Sequence, residues 1–173
     1  MYKRIILIIA ALFIFAACGE KLQYSVPSLE QVNEFISDNS VNALAIKEAE
    51  DFTIVLYENE NGFGHYVLHR DQNNKLYDGK VIAMRHKDYQ QNTLSLGGVA
   101  SGKNPFVTVI INDDNVLDKA TELEILFTDG VKVKEPIDNK GIIIIHTNNE
   151  SDKIINYLKV TIYDSDMNIL YEK

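Results

Sequence analysis

Cysteine is almost missing from these 173 residues, with Cys18 the single example. No intramolecular disulfide can form, so the fold has to be held by packing even in an oxidising compartment. Basic residues are also scarce: 17 Lys and Arg stand against 25 Asp and Glu, a net charge of −8, and no basic tract occurs. Nucleic-acid binding needs clustered Lys and Arg to displace counterions, and an anionic membrane surface is read the same way. Both expectations are therefore set aside. The apolar stretch at residues 5–15 falls short of the roughly 20 residues that a membrane-spanning helix requires. Neither G-x-S-x-G nor the S-x-x-K and K-T-G pair occurs, so "SDN" at residues 37–39 lacks the companions of a penicillin-recognising site and reads as a helix end. No repeat with a period of 20–50 residues is evident.

What is present starts with "MYKRIILIIAALFIFAAC": a basic beginning at Lys3 and Arg4, the apolar stretch, then Ala16 and Ala17 before Cys18. That order is a secretory leader with its cleavage site. In "FAAC" the chain resembles bacterial lipoproteins, whose signal ends in Leu, two small residues and Cys; Phe15 holds the place of the Leu. The resemblance implies diacylglyceryl transfer to the Cys18 sulfur, cleavage between Ala17 and Cys18, and a mature protein tethered to the extracytoplasmic face of the cell membrane. Two acyl chains hold a protein where one binds only marginally. Without residues 1–17 the chain has 156 residues, 15 basic and 25 acidic, for a net charge of −10. A chain of that size buries about 68–70% of its unfolded surface, which is enough for an ordinary core.

"SLGGVASGKNP" at residues 95–105 approaches the phosphate-binding pattern G-x-x-x-x-G-K-[ST]. Gly97, Gly102 and Lys103 have the right spacing, but Asn104 stands where the magnesium-binding hydroxyl belongs. Pro105 biases Asn104 away from helical dihedrals, and "FVTVII" after it is β-branched and aromatic, as in a strand. The pattern needs a helix N-terminus at that point, so the stretch is read as a connector. ATP and GTP are also scarce outside the membrane, and no nucleotide partner is expected.

Along the mature chain, "GEKLQYSV" is a polar tether. Ser28 with Gln31 three residues later forms a capping box, and Leu29, Val32, Phe35 and Ile36 lie on one helical face. Beyond Asn39 the runs read as strands. Asn61-Gly62 marks a hairpin, "KLYDGKVIAMRH" and "NTLSLGG" continue the meander, and further strands are expected at "FVTVII", "ELEILFT", "VKVKEPI", "GIIIIHT", "YLKVTIY" and "NILYE", with a turn at Asp129-Gly130. Short strands separated by turn signals point to a sandwich. The four isoleucines at 142–145 cannot alternate between core and solvent, which predicts a strand buried on both faces. "ELEILFTDGVKVKEPIDNKGIIII" followed by "VTIYDSDMNILYEK" resembles the C-terminal module of small uncharacterised lipoproteins of Gram-positive bacteria, and this implies an immunoglobulin-like β-sandwich there but no catalytic residue.

Several residues invite a chemical reading. His65 and His69 have an i, i+4 spacing, yet on a strand four residues span roughly 13 Å, far more than two bonds of about 2 Å to one zinc ion allow. They are expected to face solvent, opposite Tyr66 and Leu68. His86 and His146 show no partner in sequence. Asp164, Asp166 and Asn168 mimic the start of a calcium loop, but Ile169 holds the position that wants Gly; a hairpin turn is expected, since Asp and Asn side chains bond local backbone. Asp113-Asp114 and Glu58/Glu60 lie in polar turns, where neither carboxylate is desolvated for acid–base work. Asn149 in "NES" fits a glycosylation acceptor, which the bacterial resemblance argues against.

The expected organisation is a signal peptide at 1–17, a tether at 18–26, a helix plus β-meander at 27–102 and an immunoglobulin-like sandwich at 103–173, mainly β throughout. The expected role is a non-catalytic binding or interaction module of the cell envelope, anchored through Cys18, with an envelope protein as partner and no cofactor. A small-ligand or calcium-binding surface sensor is the alternative, and an envelope hydrolase the third possibility.

Overall fold

The computed structural model describes residues 23–84, 92–147 and 153–173; Ala17, Cys18, His86 and Asn149 lie outside them. The described chain is mainly β, with two helices and three antiparallel sheets. Helix α1 (Leu29–Asp38) begins as its sequence signals demand: the Ser28 hydroxyl accepts from the Gln31 backbone N–H, and the Gln31 side chain accepts from the Ser28 N–H. Asn39 closes it, its side-chain amide donating to the Phe35 carbonyl at 2.9 Å. Val32 is buried and Phe35 and Ile36 half-buried, whereas Leu29 in the first turn is 66% exposed.

The first sheet is the meander β1 (Ala43–Glu48), β2 (Thr53–Asn59), β3 (Gly62–Arg70) and β4 (Leu76–Met84), in that spatial order. The second comprises β5 (Leu94–Val99), β6 (Phe106–Ile111) and β9 (Gly141–Ile145). The third runs β11 (Ile169–Glu172), β10 (Tyr157–Tyr163), β7 (Glu122–Phe127), β8 (Lys132–Pro136). A one-turn helix, α2 (Asp114–Leu117), follows β6 and is capped by the Asp113 side chain.

Three apolar clusters stack these elements into four layers. Val32, Val55, Tyr57, Tyr66 and Leu68 join α1 to the first sheet. Ile54 and Leu56, on the opposite face of β2, pack with Phe106, Ile110 and Ile143 of the second sheet. Val107, Val109, Ile142 and Ile144 then face Leu123, Ile125, Val160 and Ile162 of the third, so the second and third sheets form a sandwich-like pair. Alternate side chains of a strand point to opposite faces, and both faces of the second sheet are covered. That is why "FVTVII" is buried at every position and the isoleucine run has Ile142, Ile143 and Ile144 all buried. Gly141 permits the close approach of β9 to the first sheet, since a Cβ there would stand 2.6 Å from Leu44 Cβ.

The stretch at 94–99 departs from the expected meander. β5 pairs with β6, Leu94 opposite Ile111 through Val99 opposite Phe106, so residues 100–105 form a hairpin connection that straddles position 102/103. Turn chemistry reads the same at a hairpin and at a linker; the pairing partner is chosen by which face can be buried.

Candidate functional site

A cleft of about 330 Å³ opens where the first and second sheets meet, at the end closed by the β5–β6 loop. Four segments build it. Tyr24 is positioned by a backbone bridge just beyond it, in which the Ser25 N–H donates to the Arg70 carbonyl and the Arg70 N–H to the Ser25 carbonyl, both at 3.0 Å. Asp51 and Phe52 come from the β1–β2 turn, which is closed by the Ala49 N–H on the Phe52 carbonyl at 2.8 Å. Val67 and His69 are on the face of β3 that looks toward the second sheet. Ser101 to Asn104 supply the rim from the glycine loop, where Gly102 has φ +95°, a left-handed conformation that side chains rarely adopt.

The floor is apolar and aromatic: Phe52 and Phe106 have ring centroids 6.2 Å apart, with Val67 and Val99 beside them. At the mouth the Tyr24 ring lies 4.9 Å from His69 and meets Tyr77 edge-on at 6.1 Å. The polar groups are few. Lys103 Nζ is 2.5 Å from Glu50 Oε2, with both side chains more than half exposed, so water screens the pair and it holds Lys103 weakly. Asp51 forms no ion pair among the described residues. Asn104 is 7% exposed, and its Nδ2 is buried without a hydrogen-bond partner, an arrangement that costs free energy unless something accepts from it.

The residues singled out in the sequence fall in different places. Of the phosphate-loop match, Gly97 is inside β5, Gly102 and Lys103 line the cleft, and strand β6 follows the loop in place of the required helix. The expectation that both histidines of β3 face solvent is wrong for His65. It lies opposite Tyr66 and Leu68 as expected, but the second sheet covers that face, leaving His65 1% exposed and edge-on to Phe106 at 4.9 Å. Burial disfavours its charged form and lowers its pKa from 6.5, and its Nε2 has no partner. His69, four residues on, is half-buried in the cleft wall. Among the described residues no group of three His, Cys, Asp or Glu side chains is placed to hold a metal ion.

His146 has a partner that its sequence neighbours could not reveal. Its Nε2 is 2.8 Å from Asp129 Oδ2, and its ring is edge-on to Phe127 at 4.7 Å. Asp129 also accepts from the Val131 N–H within the β7–β8 turn, and that bond, with His146, holds its carboxyl below the usual range. This pair ties the end of β9 to the turn across the sandwich. The acidic turn is as expected: Asp164 Oδ1 accepts from the backbone N–H groups of Asp166 and Asn168 at 2.9 and 2.8 Å, and the Asn168 amide donates to the same carboxylate. These local bonds hold its carboxyl below the usual range. Glu58 pairs with Lys140, and Asp113 is absorbed in capping α2.

Tyr24, Asp51 and Phe52 carried no motif, and only the glycine loop, Asn104 included, hinted that a site was near. The chain matches no family model, and no curated protein or solved structure matches it either.

Proposed function

We propose that this chain is a lipid-anchored, extracytoplasmic binding module, held to the membrane through Cys18, that engages its partner through the cleft and carries out no chemistry of its own. The observation behind this reading is the cleft itself: an apolar floor with a few converging polar groups, at the junction of two sheets, is the usual make-up of a ligand site. Ser101, His69 and Asp51 all border it, but no hydrogen bond joins His69 to either of the other two among the described residues. A nucleophile–base relay would start from such bonds. The leader and the lipoprotein-like "FAAC" support the anchor, and a net charge of −10 leaves the lipid to do the holding.

The fold around the site is consistent with an immunoglobulin-like module spanning β5 to β11. If the seven strands are lettered A to G, the second sheet is A-B-E and the third G-F-C-D. An immunoglobulin constant domain has A-B-E-D facing G-F-C, so the two arrangements differ by the sheet to which one edge strand belongs. The acidic turn gives the calcium-sensor alternative little support, because Asp164 already bonds its own turn.

A photo-crosslinking residue at position 101, compared with one at Asp166 on a remote hairpin, tests the reading in intact cells. The expected result is a crosslinked adduct from position 101 alone, on material that Cys18→Ser releases from the membrane. Equal or absent adducts at both positions would refute the cleft as the site.

A further inference from the structure

The cleft's charged groups comprise one carboxylate and one ammonium, with the Ser101 hydroxyl and the His69 and Tyr24 rings beside them, around an apolar floor. Asp51 brings a negative charge with no ion pair among the described residues. Lys103 brings a positive charge tied only to Glu50 by an exposed contact, and such contacts exchange readily because water competes for both ends. Asn104 belongs to the wall, but its Nδ2 is sealed inside the protein and is not offered to a ligand. A polyanion would be repelled by Asp51 and Glu50. A simple organic cation would leave Lys103 unused. A neutral polyol would use neither charge.

From this juxtaposition we infer that the cleft takes a small zwitterion, an α-amino acid or dipeptide with an apolar side chain. The inference rests on the reading of the cleft as the binding site and names its ligand class. The ligand's ammonium group pairs with Asp51. Its carboxylate pairs with Lys103, and such charge-assisted hydrogen bonds are stronger than neutral ones. The side chain lies on Phe52, Val67, Val99 and Phe106. At about 330 Å³ the cleft sits at the lower end of the roughly 300–1,000 Å³ typical of small-molecule sites, which suits one or two residues and excludes an extended peptide.

Three probes with one body separate the two charges: L-phenylalanine, L-phenylalaninamide, which lacks the carboxylate, and N-acetyl-L-phenylalanine, which lacks the ammonium. They are titrated by calorimetry into the full lipidated chain in uncharged detergent. Phenylalanine should bind tightest, and blocking either end should weaken binding about tenfold, the equivalent of one charge-assisted bond. Asp51→Asn should weaken phenylalanine and the amide while leaving the acetylated probe unchanged; Lys103→Ala should weaken phenylalanine and the acetylated probe while leaving the amide unchanged. Both positions are exposed, so neither substitution threatens folding. Equal binding of the three probes, tighter binding of a blocked probe, or no heat from any of them would overturn the inference. If that happens while the position-101 crosslink still forms, only the ligand class is wrong; if the crosslink is absent too, the cleft reading fails with it.

Discussion

The second and third sheets face each other across one core, yet their sequences obey different rules. In the third sheet the strands alternate: Leu123, Ile125, Val160 and Ile162 point inward, while Glu122, Glu124, Lys134 and Lys159 occupy the outer face. There Glu124 pairs with Lys132 at 2.9 Å and Glu122 with Lys134 at 2.5 Å, across neighbouring strands. In the second sheet alternation is gone, because α1 and the first sheet have been stacked on the face that an ordinary sandwich would leave in water. A continuous apolar run therefore reports how deep its sheet lies in the stack, not merely that it is a strand.

If depth is what separates the two sheets, truncation at the centre must cost far more than disruption at the outer face. Ile144→Ala removes a side chain with 0% exposure and should lower unfolding free energy by about 2–5 kcal/mol, read from urea denaturation. Gly141→Ala tests the seam between the first and second sheets. Its new methyl would press on Leu44 Cβ, for a loss of about 1–3 kcal/mol. In a double-mutant cycle with Leu44→Gly, which removes that Cβ, the combined loss should be less than the sum of the two separate losses if crowding is the cause.

A subtler consequence of covering both faces concerns His65. Its folded pKa is lowered by burial, so below the unfolded value near 6.5 the unfolded chain binds the extra proton first. Stability should fall as pH drops through 6.5 toward the folded pKa, and His65→Leu should flatten that part of the stability–pH curve. An unchanged slope would mean that His65 titrates freely and the face is open. The smallest effect belongs to the outer face: Lys134→Ala breaks an exposed pair and should cost less than about 1 kcal/mol, diminishing with added salt. A loss as large as that at Ile144 would erase the distinction between the sheets.

Strand positions, the capped helix and the doubly buried isoleucine run were legible in the chain because they depend on local chemistry: side-chain periodicity, a Ser–Gln capping pair, and turn residues suited to unusual dihedrals. The fate of His65 was not legible, since the residues that cover it begin about forty positions later in β6. Nor was the partner of β5, whose glycine-rich exit reads alike as linker and as hairpin.

The cleft belongs wholly to this second category. Lys103 could be noticed on its own, but Tyr24, Asp51, Phe52, His69 and Asn104 are scattered over some eighty residues, and their meeting depends on how two sheets stack. Short-range preferences are written into neighbouring residues and can be read from them. Which apolar face covers which is settled only when the whole chain competes to bury its surface, and that competition places the site.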